Sequence, residues 1–158
     1  MLFPFTRFLP LGNPRIPPMS RSPGVLRLVS GKGVRIAWMT LVMVTVAGAA
    51  GVAARYGISN LFHGDLLPWA TVGINVVGSF LLGLLIVMPM AWVDPQARLA
   101  LGVGFLGGFT TFSTFSVQAL VDFDAGEPGR ALLYIAASVL LGLVAAAAGF
   151  YGGRQLFG

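Results

Sequence analysis

Four long apolar runs dominate this chain, and each is close to the ~20 residues that a helix needs to cross about 30 Å of hydrocarbon. They cover about residues 37–58, 66–90, 97–121 and 130–152, with short polar connections between them. In hydrocarbon every backbone polar group must be satisfied within the protein, so such runs fold as helices. The sequence therefore predicts an all-α membrane protein with four transmembrane helices per subunit.

The composition excludes several other classes of protein. The chain is 56% hydrophobic and only 9% charged, whereas a soluble domain is about 25% charged. It contains no cysteine, which rules out disulfides, thiolate metal sites and cysteine nucleophiles. Its one histidine, His63, falls in a connection, and no nucleophile–base pair or metal-ligand cluster is apparent. We therefore predict that the protein is not an enzyme.

Residues 1–36 form a basic, Pro/Arg-rich N-terminal extension ahead of a transmembrane domain at 37–158. Its prolines prevent a continuous helix, so we predict that it is mostly disordered. It has no apolar segment leading to a cleavage site and so does not fit a secretion signal. Two interpretations remain open: the extension belongs to the mature chain, or translation begins at Met39. The basic residues of the extension lie next to a membrane span, so their position says more about the protein than their number does. We expect no nucleic-acid partner.

All five carboxylates are predicted to lie in the connections and none inside a span: Asp65, Asp94, Asp122, Asp124 and Glu127. An intramembrane carboxylate is the usual proton relay of exchangers. Its absence favours passive conduction over proton-coupled exchange.

Residues 104–116 read GFLGGFTTFSTFS and place many helix breakers and hydroxyls in an apolar run. Gly104 and Gly108 form a small-xxx-small pair that suits close helix packing. Alternatively, the glycines break the helix and leave carbonyl oxygens facing a partner or an ion. Spacing alone favours packing, but five hydroxyls at 110, 111, 113, 114 and 116 are too many to be idle. Phe112 and Phe115 share a helix face, either as a packed stripe or with ring edges turned toward a small anion.

Polar side chains in the other spans allow two interpretations as well. Asn75 lies in mid-span, where a carboxamide either joins helices or replaces water on a dehydrated anion. Arg55 is near the end of the first span, as an interfacial anchor or as a functional intramembrane cation. Tyr134 and Ser138 align two hydroxyls on one face of the fourth span.

Four segments together resemble the Fluc, or CrcB, family of fluoride channels. They are AGAAGVAARYGIS (47–59), TVGINVVGSFLLGLL (71–85), GFLGGFTTFSTFS (104–116) and the final helix with Tyr134 and Ser138. The resemblance covers roughly residues 38–153. It implies a channel that exports fluoride passively across the plasma membrane and relieves fluoride toxicity. It further implies an antiparallel, dual-topology homodimer whose third helix is broken at its glycine cluster, with a structural sodium ion at the dimer interface.

The resemblance also implies roles for individual residues. The fluoride pore would be lined by Asn75, Phe112, Phe115, Ser113, Thr114, Tyr134 and Ser138. Arg55 would lie in the aqueous vestibule, and the backbone carbonyls of Gly107 and Thr110 would bind sodium. Gly142, one turn after Ser138, supplies no hydroxyl, so the polar track of the fourth helix is shorter here. Such ligands suit fluoride, because a pore must replace its lost water without a full charge that would trap the ion.

Two other functions compete with this interpretation. A four-helix multidrug or cation antiporter would need a membrane carboxylate, which the spans lack. A structural membrane subunit would leave Asn75 and the TTFSTFS run unused.

The charge distribution conflicts with dual insertion. Eight basic residues fall on the side of the termini, six in the extension plus Arg98 and Arg154, against Arg55 and Arg130 on the opposite side. Such a bias holds the termini in the cytoplasm. A chain that starts at Met39 has two on each side, and we predict that this shorter form inserts both ways.

Overall fold

A computed structural model describes residues 31–62 and 68–158 of the chain, and of residues 31–34 it describes only the backbone. Helices account for nearly all of these ranges, which contain no β-strand. The elements are α1 (Gly31–Leu61), α2 (Trp69–Val87), α3 (Pro95–Leu99), a π-helix (Ala100–Leu106), α4 (Gly107–Phe109), α5 (Phe112–Asp124) and α6 (Pro128–Phe157).

Within these ranges, four helical stretches are long and apolar enough to cross a membrane. They are Arg35–Leu61, Trp69–Val87, Pro95–Asp124 and Pro128–Phe157, so the third span unites α3, the π-helix, α4 and α5. The predicted all-α architecture with four spans is therefore confirmed.

The helix ends differ from the predicted boundaries in two places. Helix α1 begins at Gly31, upstream of the predicted domain boundary at 36/37, because no proline lies between Gly31 and the apolar run. Disorder was predicted for most of residues 1–36, of which residues 31–36 are helical. Residues 1–30 lie outside the described residues, as do His63 and Asp65. Helix α5 extends to Asp124, so the prediction that all carboxylates lie in connections is wrong for Asp122 and Asp124.

Local capping explains how the chain turns between spans. Asp94 precedes α3, and its Oδ1 accepts the backbone N–H groups of Gln96 at 2.9 Å and Ala97 at 3.1 Å. Pro95 occupies the first helical position, where its missing N–H costs nothing. After α5 the chain reverses through Gly126, whose φ of 77° is open to glycine and costly for other residues.

Close glycine contacts hold the spans together as two pairs. A methyl group on Gly51 of α1 would lie 2.1 Å from the Phe105 carbonyl oxygen, and one on Gly108 would lie 2.5 Å from that of Gly48. Residue numbers rise together along both helices, so α1 runs parallel to the third span. Gly104 makes a similar approach, 2.6 Å from the Val44 carbonyl oxygen. The packing interpretation of Gly104 and Gly108 is confirmed.

The second pair consists of α2 and α6. Added methyl groups on Gly83 and Gly149 would lie 2.4 Å and 2.1 Å from the carbonyl oxygens of Ala146 and Phe80. Side chains of α2, including Val87, also pack against Gly153. The order of these contacts makes α2 parallel to α6, as expected when successive spans alternate in direction. Helix α5 packs on α6 as well, and the buried Val72, Phe115, Ala119 and Tyr134 form the core there.

Candidate functional site

The third span is interrupted at Thr110 and Thr111. Both residues are extended, with φ and ψ of −78° and 158° at Thr110 and −150° and 116° at Thr111. The glycine cluster before them remains helical, as the π-helix and then α4. The break predicted at the glycine cluster therefore lies directly after it, at two β-branched residues that favour extended backbone.

Side-chain groups replace the helical hydrogen bonds at this interruption. Asn75 of α2 faces Thr111, with Nδ2 donating to the Thr111 carbonyl at 3.2 Å and Oδ1 accepting from the Thr111 N–H at 2.9 Å. Thr111 in turn caps α5, since its Oγ1 accepts the Thr114 N–H at 3.2 Å. The carboxamide thus joins two helices, and one Nδ2 hydrogen remains for a further acceptor.

The interruption releases carbonyl oxygens from their ordinary partners. In a continuous α-helix the N–H groups of Thr111 and Thr114 would bond to the carbonyls of Gly107 and Thr110. Here those N–H groups bond to Asn75 and to Thr111 Oγ1 instead. The carbonyls of Gly107 and Thr110, which the resemblance implies as sodium ligands, therefore do not receive the helical hydrogen bond from the N–H group four residues later. The Gly108 carbonyl, at the end of α4, accepts from Arg55 Nε at 3.1 Å.

An open cavity of about 280 Å³ adjoins the break. Its polar lining comes from both sides of the interruption and from the facing turn of α2. The lining residues include Asn75, Gly78, Ser79, Gly107, Thr110, Thr111 and Phe112. The cavity combines a carboxamide, hydroxyls, backbone and an aromatic ring, which can replace the water of a small ion without a full charge.

The two phenylalanines predicted to share a face are in contact. Their ring centroids are 5.6 Å apart, and Phe115 also packs against Tyr134 at 5.3 Å. Phe115 and Tyr134 are buried, whereas Phe112 is 79% exposed in the single subunit. Phe112 therefore presents its ring on the open side of the site.

The remaining predicted hydroxyls flank this aromatic group. Thr111 Oγ1 donates to Thr114 Oγ1 at 3.0 Å and lies 3.5 Å from Ser113 Oγ. Ser138 is buried next to Tyr134, and its Oγ has no hydrogen-bond partner among the described residues. The structure thus gathers Asn75 and the hydroxyl run at the break, with Tyr134 packed on Phe115 and Ser138 one turn further along α6.

Two polar contacts of this site were not predicted from the sequence. The Tyr134 hydroxyl donates to Gln118 Oε1 at 2.8 Å, and Thr111 is the residue that Asn75 holds. The role of Gln118 could have been suspected from the sequence, because its carboxamide stands in an otherwise apolar run. Thr111 was hidden within the hydroxyl run, because local sequence does not reveal which of five hydroxyl residues faces α2.

The charged residues lie toward the ends of the spans. Arg130, at the start of α6, forms an ion pair with the buried Asp122 in the last turn of α5. Arg98 donates to the carbonyls of Leu85 and, at 2.7 Å, Met88, which complements the C-terminal end of α2. In residues 31–62 and 68–158 no group of three or more His, Cys, Asp or Glu side chains could hold a metal ion.

The sequence has relatives that match it over most of its length. The family described as "CrcB-like protein, Camphor Resistance (CrcB)" matches residues 42–150. A fluoride-specific ion channel FluC of Thermus thermophilus is 43% identical over 120 residues, which cover 73% of this chain and 96% of that relative.

Two further relatives come from other bacteria. The fluoride-specific ion channel FluC of Geobacter sulfurreducens is 41% identical over 122 residues, covering 74% of this chain and 98% of the relative. The fluoride-specific ion channel FluC 2 of Bacillus subtilis is 41% identical over 116 residues, covering 73% and 88%. The matched region contains all four membrane-spanning segments in whole or in large part, together with the broken third span, and the chain belongs to the CrcB family.

Proposed function

We propose that this protein is a fluoride-specific ion channel, a multi-pass protein of the plasma membrane that lets fluoride leave the cell passively and so relieves its toxicity. Membership of the CrcB family and the names of its relatives support this function. The observation that carries it is the cavity at the break, where Asn75, Thr111 and Phe112 meet inside a membrane span. Fluoride is driven by its own gradient and by the membrane potential.

The pore uses neutral groups to replace the hydration shell of fluoride. Asn75 has one Nδ2 hydrogen left after its bond to Thr111. The edges of the Phe112 and Phe115 rings carry the positive end of the aromatic quadrupole and can face an anion. Hydroxyls extend the path: Ser113 and Thr114 near the break, and Tyr134 and Ser138 on the neighbouring helix α6. Ser138 is buried and its hydroxyl has no hydrogen-bond partner among the described residues, which supports this path because buried polar groups normally have one.

An antiparallel homodimer would complete the site. Helix α1 is mostly exposed in the single subunit, and Phe112 projects from the subunit with most of its ring uncovered. The cavity at the break is open on one side. A second copy would cover these groups and bring its own break against this one. The balanced basic residues of the chain from Met39 support insertion in both orientations.

A structural sodium ion fits the chemistry of the break. Unwound backbone carbonyls are the ligands that Na⁺ takes in membrane proteins. The carbonyls of Gly107 and Thr110 have lost their helical donors to Asn75 and Thr111. Among the described residues, the nearest atom to a methyl group at Gly107 would be the Gly102 carbonyl oxygen at 3.8 Å, so space remains beside this residue. The ion would bind four carbonyls, two from each subunit, and stabilise the dimer.

Fluoride efflux from liposomes tests the channel function. Liposomes holding the purified protein are loaded with fluoride or chloride, and efflux is followed with an ion-selective electrode under a potassium diffusion potential. We expect fluoride release far above that of protein-free liposomes, with chloride release at the background level. Equal release of both halides, or no release, would overturn the proposal. A rate that follows an imposed proton gradient in place of the voltage would indicate an antiporter.

A further inference from the structure

We infer that Arg55 is a positioning residue that holds the broken third span through its hydrogen bond to Gly108, and that this bond, more than the positive charge, is what the channel needs. The inference rests on the proposed function, because the break lines the proposed pathway. It goes beyond the position in the aqueous vestibule that the resemblance implies for Arg55, because it gives the side chain a contact and a task.

The contact is specific in its geometry. Arg55 Nε donates to the Gly108 carbonyl oxygen at 3.1 Å, across 53 positions of the sequence. Arg55 is half-buried, and the donor is the nitrogen nearest the backbone rather than the terminal amino groups. The stem of the side chain is therefore fixed against the third span.

The Gly108 carbonyl requires a partner because it lies at the end of α4. In a continuous helix the Phe112 N–H would serve it, but the extended residues Thr110 and Thr111 intervene. A carbonyl left alone at membrane depth is costly. A guanidinium is well suited to it, since a cation also complements the negative end of a helix.

The register of α1 against the third span brings Arg55 to this carbonyl. Gly51 packs on the backbone of Phe105 and Phe109, and Gly108 packs on Gly48. Arg55 follows Gly51 by one helical turn and so lies on the same face of α1. Arg55 of α1 and Asn75 of α2 thus bind the third span before and after the break, at Gly108 and at Thr111. Loss of either contact would let the interruption shift relative to the pore.

Three substitutions separate the hydrogen bond from the charge. Arg55→Gln places an N–H donor the same number of bonds from Cα as Arg Nε, without a charge. Arg55→Lys keeps the charge but puts a methylene group where Nε stood and moves the donor one bond outward. Arg55→Met keeps an unbranched side chain that reaches as far as Nε, with neither donor nor charge. Arg154→Gln is the control for charge loss, since Arg154 is exposed in the last turn of α6.

We expect fluoride flux and the fluoride/chloride ratio to be kept in the variant that retains an N–H donor at the position of Nε and lost in the variants without it. Arg55→Gln should retain flux within about threefold, while Arg55→Lys and Arg55→Met lose about tenfold or more, as for a charge-assisted hydrogen bond left unmade. Arg154→Gln should leave flux unchanged. Retention by Arg55→Lys with loss in Arg55→Gln would show that charge is what matters and overturn the inference. An equal loss in Arg154→Gln and Arg55→Met would overturn it too.

Unfolding temperature in detergent, with sodium and without fluoride, gives a measure that does not depend on conduction. The same order is expected, with Arg55→Gln close to the parent protein and Arg55→Met about 3–6 °C lower. If the parent protein conducts no fluoride, the proposed function fails, and the order of unfolding temperatures still decides for or against the hydrogen bond. If the parent protein conducts fluoride, but both flux and unfolding temperature are kept in Arg55→Lys and lost in Arg55→Gln, the proposed function stands and the inference fails.

Discussion

Asn75 and Thr111 pair as two strands of a sheet would, with the carboxamide of Asn75 donating to the carbonyl of Thr111 and accepting from its N–H. A side chain of α2 thereby stands in for the missing turn of the third span. The pair explains why the chain can be extended at this depth: each backbone group of Thr111 has a partner within the protein.

Asn75→Asp should disrupt this pair while preserving the size of the side chain. A carboxylate cannot donate to the Thr111 carbonyl and would repel it, so we expect unfolding free energy to fall by about 1–3 kcal/mol and fluoride flux to fall about tenfold or more. Unfolding in detergent and liposome efflux measure the two effects. The control is Thr45→Val, which removes a hydroxyl that bonds only to the Leu41 carbonyl one turn back. Unchanged flux in Asn75→Asp would contradict the role of the carboxamide.

Phe112→Ile should lower fluoride flux by about tenfold with little effect on folding, because the ring is 79% exposed in the subunit and its edge is proposed to face the anion. Efflux and unfolding temperature are compared with those of Phe123→Ile, a phenylalanine in the last turn of the same helix α5. A similar loss of flux in both variants would argue for a general packing effect and against a pore role for Phe112.

Gly51→Ala should prevent α1 from reaching the third span. The new methyl group would lie 2.1 Å from the Phe105 carbonyl oxygen, and backbone cannot yield as a flexible side chain does. We expect a loss of about 1–3 kcal/mol or more, read as a lower unfolding temperature. Gly57→Ala is the matched control on α1, since no atom of the described residues of the single subunit lies within 4 Å of the added methyl group. It should be neutral or stabilising by about 0.5–1 kcal/mol. Equal effects at the two positions would refute the packing argument.

Sodium should raise the unfolding temperature of the protein above its value in potassium, because the proposed carbonyl site binds only the folded dimer. Thr111→Val should reduce this difference. Without Oγ1 at Thr111, the Thr114 N–H is free to bond to the Thr110 carbonyl and withdraw it from sodium. Thr40→Val is the control, because the Thr40 hydroxyl donates to the Ile36 carbonyl one turn back within α1. An equal unfolding temperature in sodium and in potassium would contradict the proposed sodium site.

A single cysteine tests insertion cleanly, because the natural chain contains none. We expect Gly158→Cys in a chain that starts at Met39 to be labelled from both sides of the membrane by an impermeant maleimide. The same substitution in the full chain should be labelled mainly from the cytoplasmic side, since six additional basic residues precede the first span. Labelling of the shorter chain from one side alone would contradict dual insertion.

The sequence alone determined the four spans, their helical character and the family, because hydropathy and the GFLGGFTTFSTFS motif are local properties of the chain. It also indicated that the third span is unusual, since glycines and hydroxyls crowd there. Phe112 and Phe115 could be placed on one face from helical periodicity, and their rings are in contact. These features could be predicted from the local sequence pattern because each of them concerns residues within one or two helical turns of each other.

Only the tertiary structure decided where the third span breaks and what each polar group does there. Gly104 and Gly108 pack against α1, while Thr110 and Thr111 carry the interruption. The partners that stabilise it, Asn75 and Arg55, lie 36 and 53 positions away from the backbone atoms they bind. Helical and side-chain hydrogen bonds compete for the same carbonyl and N–H groups. Which of these hydrogen bonds forms depends on which helix is packed alongside, and the local sequence pattern does not predict that packing.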